Sequence, residues 1–203
     1  MRNHLLALGL LAGVANAEPV VLEELKLEAE YPVTEMPGGN LSGLAMCGET
    51  LWAVSDRDDD RLYQLHREEG LLRAEAETFV APDPPESALP WGLRMRNWAA
   101  GLVRGGALDF EGMSCDAQGN RYLVSETRAA VLQVSSNGNA QWLNLPSGLV
   151  RQARASGMLL HFNQGFEGIA IDPAGDRLWL AAEQRRRGLT VLHRRGSSWR
   201  CTG

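Results

Sequence analysis

Five acidic residues recur at matching places along this 203-residue chain, and a sixth, Asp109, stands beside them. The stretch DFEGMSCDAQGNRYLVSE, 109–126, opens on Asp109 and Glu111 and closes on Glu126. FEGIAIDPAGDRLWLAAE, 166–183, repeats the pattern with Glu167 and Glu183. LSGLAMCGETLWAVSD, 41–56, is a third copy; Ser42 takes the place of the first acid, and Asp56 keeps the last. Carboxylates gathered in one place repel unless a proton or cation neutralises them. An oxygen-only donor set without thiol or imidazole favours a hard cation, Ca²⁺ above all in an exported protein. Arg57 and Arg128 follow closely behind two of the closing acids. Their planar guanidinium groups suit bidentate capture of an anionic substrate.

Each copy reads as a β-hairpin. Asp116-Ala-Gln-Gly119-Asn and Asp172-Pro-Ala-Gly175-Asp are turn sequences that reverse a chain through a left-handed glycine. A tight hairpin returns the chain to where it started. Glu111 is therefore expected beside Glu126, Glu167 beside Glu183, and the two pairs around a common space. Period two predicts that Glu111, Met113 and Cys115 share one face, and that Tyr122, Val124 and Glu126 share one on the partner strand. RLYQLH (61–66), AVLQVS (130–135) and GLTVLH (188–193) supply a third strand per unit, and two units add a fourth. Short antiparallel strands in repeated units define the expected fold: an all-β protein, a partial β-propeller of about four blades or fewer. Two insertions, 81–106 and 146–165, carry short helices, the second with Leu149, Val150, Ala153, Gly157 and Leu160 on one face. A β-sandwich is the competing architecture, but it leaves the near-identical hairpins unexplained.

Residues 1–17 have the form of a secretory signal peptide: Arg2, an apolar run Leu5–Val14, then Ala15-Asn16-Ala17. The run is too short to span a bilayer. Residues 18–203 then form the mature domain, placed in the periplasm or outside the cell, with no membrane span. The net charge is −5, which argues against a nucleic-acid partner. Cys47 and Cys115 sit in matching strands of the first two repeats, so a disulfide is within reach if those blades are adjacent, leaving Cys201 free. No nucleophile elbow, zinc-binding helix motif or phosphate-binding loop is present.

At the repeated hairpins the sequence resembles the phytase-like propeller family, described as having esterase-like activity. The N-x-G-F-E-G at 163–168 is its most specific piece. The pair of glutamates in EGMSCDAQGNRYLVSE is also similar to the metal-binding hairpin of β-propeller phytases, where calcium at the channel mouth binds phosphate and activates water. The resemblance implies Glu111, Glu126 and Glu167 as metal ligands, with Asp109 and Glu183 as helpers. Asp56 joins the metal set as the closing acid of the first repeat. Glu111, Glu167 and Asp109 become the catalytic candidates, Arg57 and Arg128 the substrate candidates, and a small-molecule ester the partner. Family domains are longer, so the resemblance also implies a domain incomplete at its C-terminus, whose exposed edges invite pairing with another copy. Two further readings share these carboxylates: a lactonase-type propeller, and a non-catalytic propeller for binding or envelope scaffolding, stapled by Ca²⁺.

Overall fold

The computed structural model describes residues 25–38, 40–104, 106–161, 164–183 and 187–201. The expected signal peptide lies outside the described residues. The chain divides into two units, 1–30 and 31–203. Of the first, residues 25–30 are described and lack regular structure.

The second unit is built from three sheets. The first contains β1 (Val33–Thr34), β2 (Leu41–Cys47), β3 (Thr50–Ser55), β4 (Arg61–Glu68) and β5 (Leu71–Thr78). Helix α1 (Trp91–Arg104) leads to the second sheet, β6 (Phe110–Cys115), β7 (Arg121–Ser125), β8 (Ala130–Val134) and β9 (Ala140–Trp142). Helix α2 (Leu149–Ala155) leads to the third, β10 (Phe166–Ile171), β11 (Arg177–Ala182), β12 (Gly188–Arg195) and β13 (Ser198–Cys201). Each sheet is an antiparallel meander in chain order, and β1 adds a parallel fifth strand to the first, beside β5. These are three propeller blades, each starting at its inner strand: β2, β6 and β10. The fourth strand of the third blade, β13, is one that strand patterning alone does not mark.

The turns form as their residues dictate. Gly119 and Gly175 take positive φ, 78° and 75°. The preceding aspartates hold them: Asp116 Oδ1 accepts from the amides of Gln118 and Asn120, and Asp172 Oδ1 from those of Asp176 and Arg177.

Alternation along the strands then builds an apolar layer between each pair of neighbouring blades, and a third cluster, Ala53, Tyr63, Leu65 and Ala74, on the other face of blade 1. Leu123, Leu132 and Val134 of blade 2 pack with Trp52, Val54 and Leu62 of blade 1. Tyr122, Val124 and Val131 point the other way and pack with Phe166, Leu178, Leu180 and Leu192 of blade 3. β7 is buried on both faces as a result. Helix α2 adds Leu149, Val150 and Ala153 to the second layer. Leu160, expected on that face, lies beyond the helix and is exposed; Leu159 is buried instead.

The inner strands approach so closely that glycine is required where they meet. A Cβ on Gly43 would stand 2.8 Å from Gly112 Cα, and one on Gly112 would stand 2.7 Å from the Glu167 carbonyl oxygen. In the first two copies the repeated glycine is thus the point where one blade's backbone lies against the next, while Gly168 faces Ala181 of its own blade. Gly112→Ala is expected to cost about 1–3 kcal/mol through overpacking, read as a lower urea midpoint with an unchanged slope. An unaltered midpoint would show that the blades can part without penalty.

The same approach places Cys47 and Cys115 5.5 Å apart at Cα, joined as a disulfide, while Cys201 is a free thiol. The covalent link therefore ties blade 1 to blade 2.

Candidate functional site

Each inner strand carries a β-bulge at the same place. Phe110 pairs with Ser125 and Gly112 with Val124, so Glu111 is the extra residue. Glu167 is the extra residue between Phe166 and Gly168, and Ser42 between Leu41 and Gly43. A bulge frees a side chain from strict alternation and re-aims it. The expectation that Glu111 shares a face with Met113 and Cys115 is corrected here: Phe110 joins Met113 and Cys115 in the layer facing blade 1. The other expected face holds. Tyr122 and Val124 face blade 3, and Glu126 reaches the same way to accept the Gly165 amide at 3.0 Å.

The bulged glutamates meet the closing acids. Carboxylate oxygens of Asp56, Asp109 and Glu111 lie within 4.8 Å of one another. Burial pushes the Glu111 carboxyl from an ordinary 4.5 up to about 8, and the neighbouring charges of Asp109, Glu126 and Asp56 push the same way. Burial likewise pushes Glu167 up to about 8, helped by its hydrogen bond with Glu183 and by the charges of Glu126, Glu183 and Glu111. Glu126 and Glu111 act on Glu167, and Glu126 acts on Glu111. Asp56 from blade 1, Asp109, Glu111 and Glu126 from blade 2, and Glu167 and Glu183 from blade 3 thus form one connected acidic cluster.

Several residues outside this acidic set hold its members in place. Gly165, from the N-x-G-F-E-G motif, makes room for Glu126: a Cβ there would fall 2.1 Å from the Glu126 Cγ. Asn163 of the same motif lies outside the described residues. Asn40 Nδ2 donates to Asp56 Oδ2 at 3.2 Å. Asp109 adopts φ 53°, a left-handed conformation uncommon for a residue with a side chain. The chain before it is clamped. Asp59 accepts the amides of Ala107 (2.6 Å) and Leu108 (2.8 Å), and the Ser125 and Thr127 hydroxyls donate to the Leu108 carbonyl. Asp58 accepts from the Tyr63 hydroxyl at 2.5 Å. The acidic run after Asp56 is therefore structural at Asp58 and Asp59. Ser42, which replaces the glutamate in blade 1, donates at 2.6 Å to the Phe110 carbonyl and ties blades 1 and 2 together.

The two arginine candidates separate. Arg128 lines a cavity of about 740 Å³ that Asp109 and Glu126 also line, and its Nε is buried without a hydrogen-bond partner. Arg57 is half-exposed, with its Nε 4.0 Å from Asp56 Oδ1. That Asp56 oxygen is itself buried and accepts no hydrogen bond. A buried carboxylate oxygen without a donor, beside acids that repel one another, fits a hard cation bound by oxygen ligands.

The raised carboxyls set a pH dependence for the metal-free protein. Folded Glu111 and Glu167 bind protons up to about pH 8, whereas unfolded glutamates release them near 4.5. Between these values the native state holds more protons, so stability declines as pH rises. Melting in chelator should give a lower Tm at pH 8.5 than at pH 5, and E111Q/E167Q should flatten that slope. A wild-type Tm that rises across the window would contradict the repulsion.

Three sheets, each built on a four-strand meander and stacked through their inner strands, with the acids gathered beside those strands, define a β-propeller, partial in this chain. The chain belongs to the phytase-like family, described as having the esterase-like activity of phytase, whose model matches residues 36–200. No curated protein sequence matches it. Among solved structures it is similar to virginiamycin B lyase from Staphylococcus aureus, with 12% identity and a TM-score of 0.45 over 85% of this chain and 44% of that one. It is also similar to a gluconolactonase from Xanthomonas campestris, with 16% identity and a TM-score of 0.36 over 70% of this chain and 34% of that one. A third is the calcium-binding protein regucalcin from Agrobacterium tumefaciens, with 16% identity and a TM-score of 0.36 over 73% of this chain and 39% of that one. The chain spans less than half the length of each of these structures.

Proposed function

We infer that the chain is an exported, calcium-dependent hydrolase of phosphate or other esters. The observation that carries this reading is the acidic cluster: Asp56, Asp109 and Glu111 gather oxygens from blades 1 and 2, Glu126 links them electrostatically to Glu167 and Glu183 of blade 3, and Asp56 Oδ1 is buried without a hydrogen bond. Asp56, Glu111, Glu126, Glu167 and Glu183 would hold the ion. When bound, Ca²⁺ supplies Lewis acidity and lowers the pKa of a coordinated water. Glu126 is oriented by the Gly165 amide. Asp109, fixed by the clamped turn before it, and the two bulged glutamates Glu111 and Glu167 would move protons to and from the reacting group. Arg128, on the wall of the cavity, would take the anionic end of the substrate. The Cys47–Cys115 disulfide supports an oxidising compartment and hence the export expected from residues 1–17.

Calcium as a staple is the second reading, favoured by ligands that come from three blades: an ion holding them would cross-link the sheets without turning over anything. Purified protein should be screened against phosphate esters, carboxyl esters and lactones, with and without chelator. Turnover lost on chelation supports the hydrolase. Melting that is chelator-sensitive without turnover on any ester supports the staple and overturns the hydrolase.

A further inference from the structure

The insertion between blades 1 and 2 has a feature that the carboxylate chemistry does not use. Trp91, Met95, Trp98 and Leu102 recur at spacings of four, three and four along α1, which places them on one face of the helix. All four line the 740 Å³ cavity that Asp109, Glu126 and Arg128 share. They remain largely in water: Trp91 is 71% exposed, Trp98 62% and Leu102 70%. The opposite side of the helix is anchored, since Leu93, with Leu89 just ahead of the helix, packs into the layer between blades 2 and 3. The entry to α1 is pinned as well. Arg94 pairs with Glu86 at 2.6 Å, and the Ser87 hydroxyl donates to the Thr127 carbonyl at 3.0 Å. The apolar stripe is therefore held over the cavity by the packing of Leu89 and Leu93 behind it and by polar contacts at the cavity's own rim.

We propose that α1 is the specificity element of the site, and that the substrate is an amphiphilic ester whose aromatic or aliphatic body lies along Trp91, Met95, Trp98 and Leu102 while its ester group meets the carboxylates. This rests on the hydrolase reading and narrows its substrate class. A compact, fully hydrated polyanion gains nothing from four large apolar side chains. An apolar body laid on them removes their surface from water, at about 25 cal/mol for each Å² covered. The cavity volume falls within the ~300–1,000 Å³ of sites that enclose a molecule much larger than one ester group. Two tryptophans supply a broad, rigid contact at little entropic cost. A lipid surface fits less well. The stripe forms a wall of a concave cavity that it shares with Asp109, Glu126 and Arg128, a setting suited to one enclosed molecule and not to a flat bilayer.

The test uses two probes that share an anionic group, 1-naphthyl phosphate and methyl phosphate, titrated into the full mature chain in calcium. Calcium titration of the same samples runs alongside. The naphthyl probe should bind at least about tenfold more tightly than the methyl probe. W91A/W98A should abolish that preference while leaving calcium affinity and the methyl phosphate isotherm in place. Trp98→Phe, which keeps an aromatic face, should retain most of it. Equal binding of the two probes by the wild-type protein, or a preference that survives W91A/W98A, overturns the proposal. So does Trp-dependent binding to phosphatidylcholine vesicles without any naphthyl preference. Absence of calcium binding, with the naphthyl preference intact, would sink the hydrolase reading alone.

Discussion

C47A/C115A is expected to unfold at a free energy about 4 kcal/mol below that of the oxidised wild-type protein. The bond closes a loop of 68 residues. The chain-entropy account of such a loop gives about 4 kcal/mol, carried by the unfolded state. The loop runs from the inner strand of blade 1 through α1 to the inner strand of blade 2, so the bond holds together the two blades that bring Asp56 to Asp109 and Glu111. Reduction by dithiothreitol should reproduce the loss in the wild-type chain and leave the variant unchanged. Denaturant unfolding measures both. A difference below about 1 kcal/mol would mean that glycine-to-backbone packing between the blades already fixes their docking.

The second large effect has opposite signs with and without calcium. In chelator, E111Q/E167Q removes two mutually repelling carboxylates while keeping their shape, so the apo Tm at pH 8 rises. In calcium, the wild-type protein gains stability by mass action and the variant gains almost none. Losing two of the charged ligands should weaken calcium binding about a hundredfold, ~2.7 kcal/mol. Glu49→Gln, on an exposed turn, serves as the control and should change neither number. A variant that is destabilised in chelator would show that the glutamates are held by favourable contacts and not by an ion.

Much of this arrangement is legible in the residues. The Asp-x-x-Gly turns, the alternating strands and the acids at both hairpin ends announce repeated blades, and aligning the copies brings Cys47 to within one position of Cys115. What escapes has a common cause: it depends on long-range pairing. The bulge at Glu111 is a matter of register between β6 and β7, and a strictly alternating reading puts Glu111 where Phe110 belongs. Gly165 reads as a loop glycine until the Glu126 side chain is seen to occupy the space a Cβ would need. Asn40, Asp59, Ser125 and Thr127 are ordinary polar residues in sequence and act only through partners brought close by the fold; the Asp59 bonds to Ala107 and Leu108 span nearly fifty positions. The strand Ser198–Cys201 is too short to show alternation and forms because β12 offers it an edge.

The central claim is that carboxylates from three blades share one cation site. Calcium titration by calorimetry of Asp56→Asn, Glu111→Gln and Glu167→Gln, one substitution in each blade, tests it most directly. With a shared site, each single change weakens the same binding event by about tenfold or more, and no variant retains an unperturbed high-affinity isotherm. Should any one of the three bind calcium as tightly as the wild-type protein, the blades do not share the ion.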